Sequence, residues 1–119
     1  MATILLVEDD KNSYDMLTGR LEHKGYDVDL ATTGEEATDM AGEGEYDLIL
    51  MDIRLPGFDG YEATGRIREQ SSNPDVPVIA LTAHALEEDR EKALEAGCND
   101  YHAKPVHFTK LLEQMEALL

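Results

Sequence analysis

Three short apolar runs stand out along the chain: Thr3 to Val7 (TILLV), Leu48 to Met51 (LILM) and Pro77 to Leu81 (PVIAL). None alternates with polar residues, so each suits a strand covered on both faces, as in a parallel sheet. Helical spacing lies between them. Tyr14, Leu17 and Leu21 fall at i, i+3, i+7 and end at Gly25, while Thr33 and Glu36 have capping-box spacing ahead of Ala37, Met40 and Ala41. A third helix is predicted from Asp59, with Glu62 three residues on and Ala63 and Ile67 as its inner face. A fourth covers Glu87 to Ala96 and stops at Gly97. The fifth carries an apolar stripe of Phe108, Leu111, Leu112, Met115 and Leu118, bounded upstream by Pro105, which reads as core packing. Two weaker strands, Asp27 to Ala31 and Asp100 to Ala103, complete the alternation. Five strands alternating with five helices predict a doubly wound α/β sheet with helices on two faces.

The polar residues that end these strands carry the chemistry. Glu8 and Asp9 follow the first strand, Asp52 the third, Thr82 the fourth and Lys104 the fifth. In an open parallel sheet, ligands bind beyond the carboxyl ends of the strands, so these scattered side chains are expected to converge. Two carboxylates about 4 Å apart repel by roughly 4 kcal/mol at an effective dielectric of 20, and a third adds to that cost. A hard, oxygen-loving Mg²⁺ ion fits such a crevice and leaves coordination positions for a phosphate. Lys104 supplies a fixed positive charge suited to a phosphoryl oxygen or to the Asp52 carboxylate, and Thr82 a neutral donor. Together these are the parts with which a carboxylate nucleophile takes a phosphoryl group. Each residue also has an ordinary role. Acids cap helices, and Asp10 is assigned in that way; Asp52 could form a turn before Pro56 and Gly57, Thr82 could cap a helix, and Lys104 could be a surface lysine. Singly these roles outweigh the functional one; at one end of one sheet, jointly, they do not.

Length and charge narrow the classes. The 119 residues fit one domain, 1–119, and the 26 acidic against 10 basic residues give a formal net charge of -16. Free nucleic acid is a poor partner for such a surface. No apolar run approaches a membrane span, the acidic start MATILLVEDD does not resemble a signal peptide, and one cysteine, Cys98, allows no internal disulfide, so a cytoplasmic protein is expected. Cys98 reads as a small packing residue. The segment DIRLPGFDG fails the calcium-loop pattern, because Arg54 and Pro56 stand where oxygen ligands are needed. His23, His84, His102 and His107 do not cluster with Cys98 at metal-ligand spacing, and no glycine-rich nucleotide loop follows a strand.

The residues LLVEDD, DLILMDIRLPGFDG, PVIALTAHA and AGCNDYHAKP resemble those of a receiver domain of a two-component response regulator, over the chain from Thr3 to the last helix. The resemblance implies a flavodoxin-like sheet of order 2-1-3-4-5, and Asp52 as the acceptor of phosphate from a histidine kinase or histidine phosphotransfer protein. It implies that Glu8, Asp9 and Asp52 hold Mg²⁺ with the backbone carbonyl of Arg54, that Thr82 and Lys104 contact the phosphoryl group, and that Tyr101 is the aromatic that changes rotamer in the switch. It also implies a cis peptide between Lys104 and Pro105, and a partner-binding face on the fourth helix, fifth strand and last helix that regulates a downstream effector. Glu8 stands where an aspartate is common. Arg54, two residues past Asp52, and His84, two past Thr82, are candidates for tuning phosphate lifetime. The chain reads as a free-standing switch, with its natural-looking start in support. Alternatives are a receiver excised from a hybrid histidine kinase, a phosphohydrolase with Asp52 as nucleophile, which would want a second acid where Arg54 stands, and a flavodoxin-like electron carrier.

Overall fold

A computed structural model of the chain describes residues 2–70, 73–83 and 87–119. His84, and with it any part it plays in phosphate lifetime, lies outside the described residues, as does Leu86 at the start of the expected partner face. The elements run β1 (Thr3–Val7), α1 (Lys11–His23), β2 (Asp27–Ala31), α2 (Gly34–Glu43), β3 (Leu48–Asp52), α3 (Gly60–Gln70), β4 (Val78–Thr82), α4 (Glu87–Ala96), β5 (Asp100–Ala103) and α5 (Phe108–Leu118). All five strands are parallel in one sheet of order β2-β1-β3-β4-β5.

The unbroken apolar runs explain this order. Every residue of β3 and β4 is buried, and so is β1 from Ile4 to Val7, so these strands occupy the middle of the sheet with helices over both faces. Alternate side chains divide into two cores. Leu5, Val7, Ile49, Met51, Val78 and Ala80 pack with Ala37, Ala63, Ile67 and Ala93 of α2, α3 and α4. Ile4, Leu6, Leu48, Leu50, Ile79 and Leu81 pack with Leu17, Leu21, Leu111 and Met115 of α1 and α5. Each fully buried leucine or isoleucine contributes roughly 1.5–3 kcal/mol.

Local signals set the helix ends. Asp10 caps α1, its carboxylate accepting from Ser13 N at 3.0 Å, which is the capping role read from the sequence. Thr33 accepts from Glu36 N at 3.0 Å while the Glu36 carboxylate accepts from Thr32 N at 2.9 Å, one residue before the reciprocal position of an ideal capping box. Asp59 accepts from Glu62 N at 3.0 Å, so it caps α3 and the helix proper begins at Gly60. Three strand boundaries differ from the sequence reading. Asp52 and Thr82 are the last residues of β3 and β4, paired with Leu81 and Ala103, and are not the first loop residues. β4 starts at Val78, because Pro77 has no N–H for the ladder and only its carbonyl takes part, accepting from Ile49 N at 2.8 Å. Cys98 is buried, 3.8 Å from the Thr64 hydroxyl, in its expected packing role.

Candidate functional site

Register delivers the site. Val7 stands beside Met51, Asp52 beside Leu81 and Thr82 beside Ala103. One residue further on, Glu8 is level with Asp52 on the neighbouring strand, and parallel strands lie about 4.8 Å apart. Backbone bonds carry the alignment past the strands: Glu8 N donates to Ala31 O at 3.0 Å, Ile53 N to Leu81 O at 3.1 Å and Lys104 N to Thr82 O at 2.6 Å. Alternation then aims the side chains. Glu8 continues the Ile4–Leu6 series and Asp52 the Leu48–Leu50 series, toward the α1 and α5 side. Thr82 continues the Val78–Ala80 series toward α3 and α4, the side on which half-buried Tyr101 packs.

Lys104 closes the cluster from 96 residues away in sequence. Its Nζ donates to Glu8 Oε2 at 3.1 Å and lies 3.3 Å from Asp52 Oδ2. The Glu8 and Asp52 side chains are only 1% and 5% exposed, so a surface role for this lysine is ruled out. The remaining carboxylate oxygens are partly satisfied by the backbone: Arg54 N donates to Asp52 Oδ1 at 3.1 Å and Asp10 N to Glu8 Oε1 at 3.3 Å. The peptide between Lys104 and Pro105 is cis.

Charge in this cluster is unbalanced, since one ammonium faces two buried carboxylates, with Asp9 at the surface beside them. Burial, and then the adjoining Asp52 carboxyl, push the Glu8 carboxyl up to about 7 despite Lys104. Burial works against the Lys104 charge, but Asp52 and Glu8 outweigh it and raise its pKa. Glu8, Asp9 and Asp52 each offer a carboxylate oxygen, all within 4.8 Å of one another. Hard oxygen donors with a surplus of negative charge suit a divalent ion such as Mg²⁺.

Beside the acids lies a cavity of about 210 Å³ lined by Asp52, Ile53, Arg54, Tyr61, Thr82, Ala83, Asp89 and Lys104. Tyr61 and Asp89 were not among the residues read from the sequence. Only the topology, which brings the first turns of α3 and α4 to the same end of the sheet, could have pointed to them. Gly60 also belongs to the site through its backbone: its N–H donates to Ile53 O at 2.9 Å, and a Cβ there would overlap the Asp52 carbonyl oxygen.

A doubly wound sheet with acids, a hydroxyl and an ammonium at its carboxyl end places hard oxygen donors beside a fixed positive charge, and comparison with known proteins gives this arrangement a family. Residues 4–116 match the response regulator receiver domain, and the chain belongs to that family. It is 40% identical over 116 residues to the transcriptional regulatory protein CusR of Escherichia coli K12, covering 98% of this chain and 50% of that one. The chain spans about half the length of most of the curated regulators it matches. The receiver domain of sensor histidine kinase PA1611 from Pseudomonas aeruginosa PAO1, with a magnesium ion in its active-site cleft, superposes with a TM-score of 0.91 at 45% identity, over 98% of this chain and 96% of that one. Response regulator TrrA from Thermotoga maritima, in complex with Mg²⁺–BeF, gives 0.88 at 35% identity over the whole of both chains. The chain is thus of a two-component signalling family, with the flavodoxin-like order expected. Among the described residues no helix is long and apolar enough to cross a membrane.

Proposed function

We propose that residues 1–119 act as one phosphorelay switch in which Asp52 accepts a phosphoryl group from a histidine kinase or histidine phosphotransfer protein. The observation that carries this is the Lys104 ammonium set 3.1 Å from Glu8 and 3.3 Å from Asp52, with both carboxylates buried at the end of a parallel sheet. A lysine so placed holds an attacking carboxylate in position and balances the charge of an arriving phosphoryl group. Glu8, Asp9 and Asp52, with the Arg54 carbonyl, would hold Mg²⁺, which would supply positive charge to offset that of an arriving phosphoryl group. The Thr82 hydroxyl donates to a phosphoryl oxygen, and the Tyr101 ring, packed on the same side of the sheet, follows it inward. The readout is the surface of α4, β5 and α5, which regulates a protein effector; typical coupling of 1–3 kcal/mol amounts to about a 5- to 150-fold change in partner affinity. Direct binding of nucleic acid is not part of this reading, nor is a membrane, and the free thiol of Cys98 accords with a cytoplasmic setting. The chemistry of the chain is confined to gaining and shedding its own phosphoryl group.

The likeness to the PA1611 receiver supports a second reading of context, in which these residues serve as the receiver of a hybrid histidine kinase. The site chemistry is then the same. Incubation with Mg²⁺ and acetyl phosphate, followed by intact mass, tests the common core. Wild type is expected to gain one phosphoryl group and Asp52→Asn none. Equal modification of both, or of neither, would remove Asp52 from the role.

A further inference from the structure

The helix-side wall of the phosphoryl pocket has no part in the chemistry above. Asp52, Thr82 and Lys104 bound the cavity from the strands, and Tyr61 of α3 and Asp89 of α4 bound it from the helices. Both helix residues are half-buried. The Tyr61 hydroxyl has a raised pKa, first through burial and then through the Asp89 carboxylate, so the two side chains share one electrostatic environment. A carboxylate is an unexpected lining for a cavity that must admit an anion, all the more where two buried acids already face a single lysine. The α4 dipole does not call for it in particular, because Glu87 and Glu88 also place acids in the first turn and neither lines the cavity.

We propose that Asp89 is a specificity-determining residue of this pocket: its carboxylate disfavours free dianionic phosphodonors relative to donors that carry less negative charge. The inference rests on the phosphoacceptor reading of Asp52. Transfer itself needs no further group. An Asp52 carboxylate oxygen forms the new bond to phosphorus as the bond to the donor breaks, and the donor departs with that electron pair, as acetate from acetyl phosphate or as ammonia from the already protonated nitrogen of phosphoramidate.

The test compares phosphorylation rates from acetyl phosphate, a dianion, and phosphoramidate, with one negative charge fewer, at saturating Mg²⁺. Removing one charge from the pocket wall is expected to speed the acetyl phosphate reaction about fivefold at low ionic strength, and the phosphoramidate reaction only about twofold. At 1 M salt, where the screening length is about 3 Å, the gain should shrink to less than about twofold. Asp89→Asn and Asp89→Ser should both show this, and Asp89→Glu should stay near wild type. Glu91→Gln, which changes the net charge equally from an exposed α4 position outside the cavity, should also react as wild type does. The proposal is overturned if both neutral variants react with acetyl phosphate no faster than wild type, if Glu91→Gln gains as much, or if salt leaves the gain intact. Failure of wild type to take a phosphoryl group on Asp52 from either donor is a different result, and sinks the phosphoacceptor reading on which this one stands.

Discussion

Alanine at Gly60 should damage both the stability of the domain and the geometry of Asp52, the proposed acceptor. A Cβ at this position would overlap the carbonyl oxygen of Asp52 and sit 2.9 Å from Ile53 Cα and 3.0 Å from the Asp52 carbonyl carbon. All three are backbone atoms, so no rotamer change relieves the contact. The glycine is needed for space and not for conformation, because among the described residues only Gly25, Gly57 and Gly97 have positive φ. To restore ordinary van der Waals distances the first turn of α3 must back away from β3 by roughly half an ångström or more, and overpacking of this kind costs about 1–3 kcal/mol. Gly65, on the same helix, has nothing within 4 Å of its notional Cβ, so Gly65→Ala should stabilise by up to about 1 kcal/mol through helix propensity alone. Urea unfolding followed by circular dichroism measures both. Phosphorylation from acetyl phosphate gives a second readout, since a shift of about 1 Å in a reacting group can cost 100-fold. A Gly60→Ala protein as stable and as readily phosphorylated as wild type would refute the close-approach argument, and a destabilised Gly65→Ala would refute its control.

Glu8, raised from 4.5 to about 7, binds its proton more tightly folded than unfolded, so between these values its contribution to stability falls as pH rises. Without Mg²⁺, Glu8→Gln should gain on wild type by up to about 3 kcal/mol between pH 5 and pH 7.5, read from urea midpoints; an unchanged difference across that range would contradict the unbalanced charge of the site. Arg68 donates to the carbonyls of Gly97, Pro74 and Val76 and to Asn99 Oδ1, tying α3 to the turns around β4 and β5. Lysine lacks that planar fork, so Arg68→Lys should lower stability by about 2 kcal/mol, and a loss under 0.5 would count against the staple. Gln114 accepts from His102 Nδ1 at 2.7 Å and donates to Asp100 Oδ2 at 2.9 Å and Tyr101 O at 2.8 Å, while His102 Nε2 accepts from His107 N at 3.0 Å. Gln114→Met should therefore cost about 1–3 kcal/mol and broaden the amide resonances of β5; sharp, unshifted β5 resonances would dismiss the link.

Legibility in the sequence followed the range of the interactions. The runs TILLV, LILM and PVIAL could be read as central strands because burial on both faces leaves no alternation, and parallel register then made the convergence of Glu8, Asp52 and Lys104 a matter of counting residues to strand ends. What stayed hidden depends on how a helix is rotated and how near it comes. Tyr61 and Asp89 reach the pocket only through the setting of α3 and α4 on the sheet, which no strand register fixes. Gly60 falls inside the helix predicted from Asp59 with nothing local to mark it, yet its missing side chain lets α3 begin against the Asp52 backbone. Arg68 was not singled out in the sequence, because its four partners lie up to 31 residues away and no local pattern marks them.

Burial is also uneven across the fold, in a way that decides where a charge added at Asp52 can be felt. The acid cluster hangs from β1 and β3, whose packing leaves the sheet no freedom to respond. Among the helices, α3 buries Gly60, Ala63, Thr64 and Ile67, α1 buries Leu17 and Leu21, and α5 buries Leu111 and Met115, but α4 buries Ala93 alone. With so little apolar surface withdrawn from water, α4 is the helix cheapest to open locally. Its first turn, through Asp89, lines the cavity in which the phosphoryl group would sit. Amide hydrogen exchange should therefore show α4 exchanging at least about tenfold faster than the centre of α3 in the unmodified protein, and modification at Asp52 should alter α4 protection before that of α1 or α2. Equal protection of α3 and α4, or a first response in α1, would mean that the loosely held helix is not where the added charge is relieved.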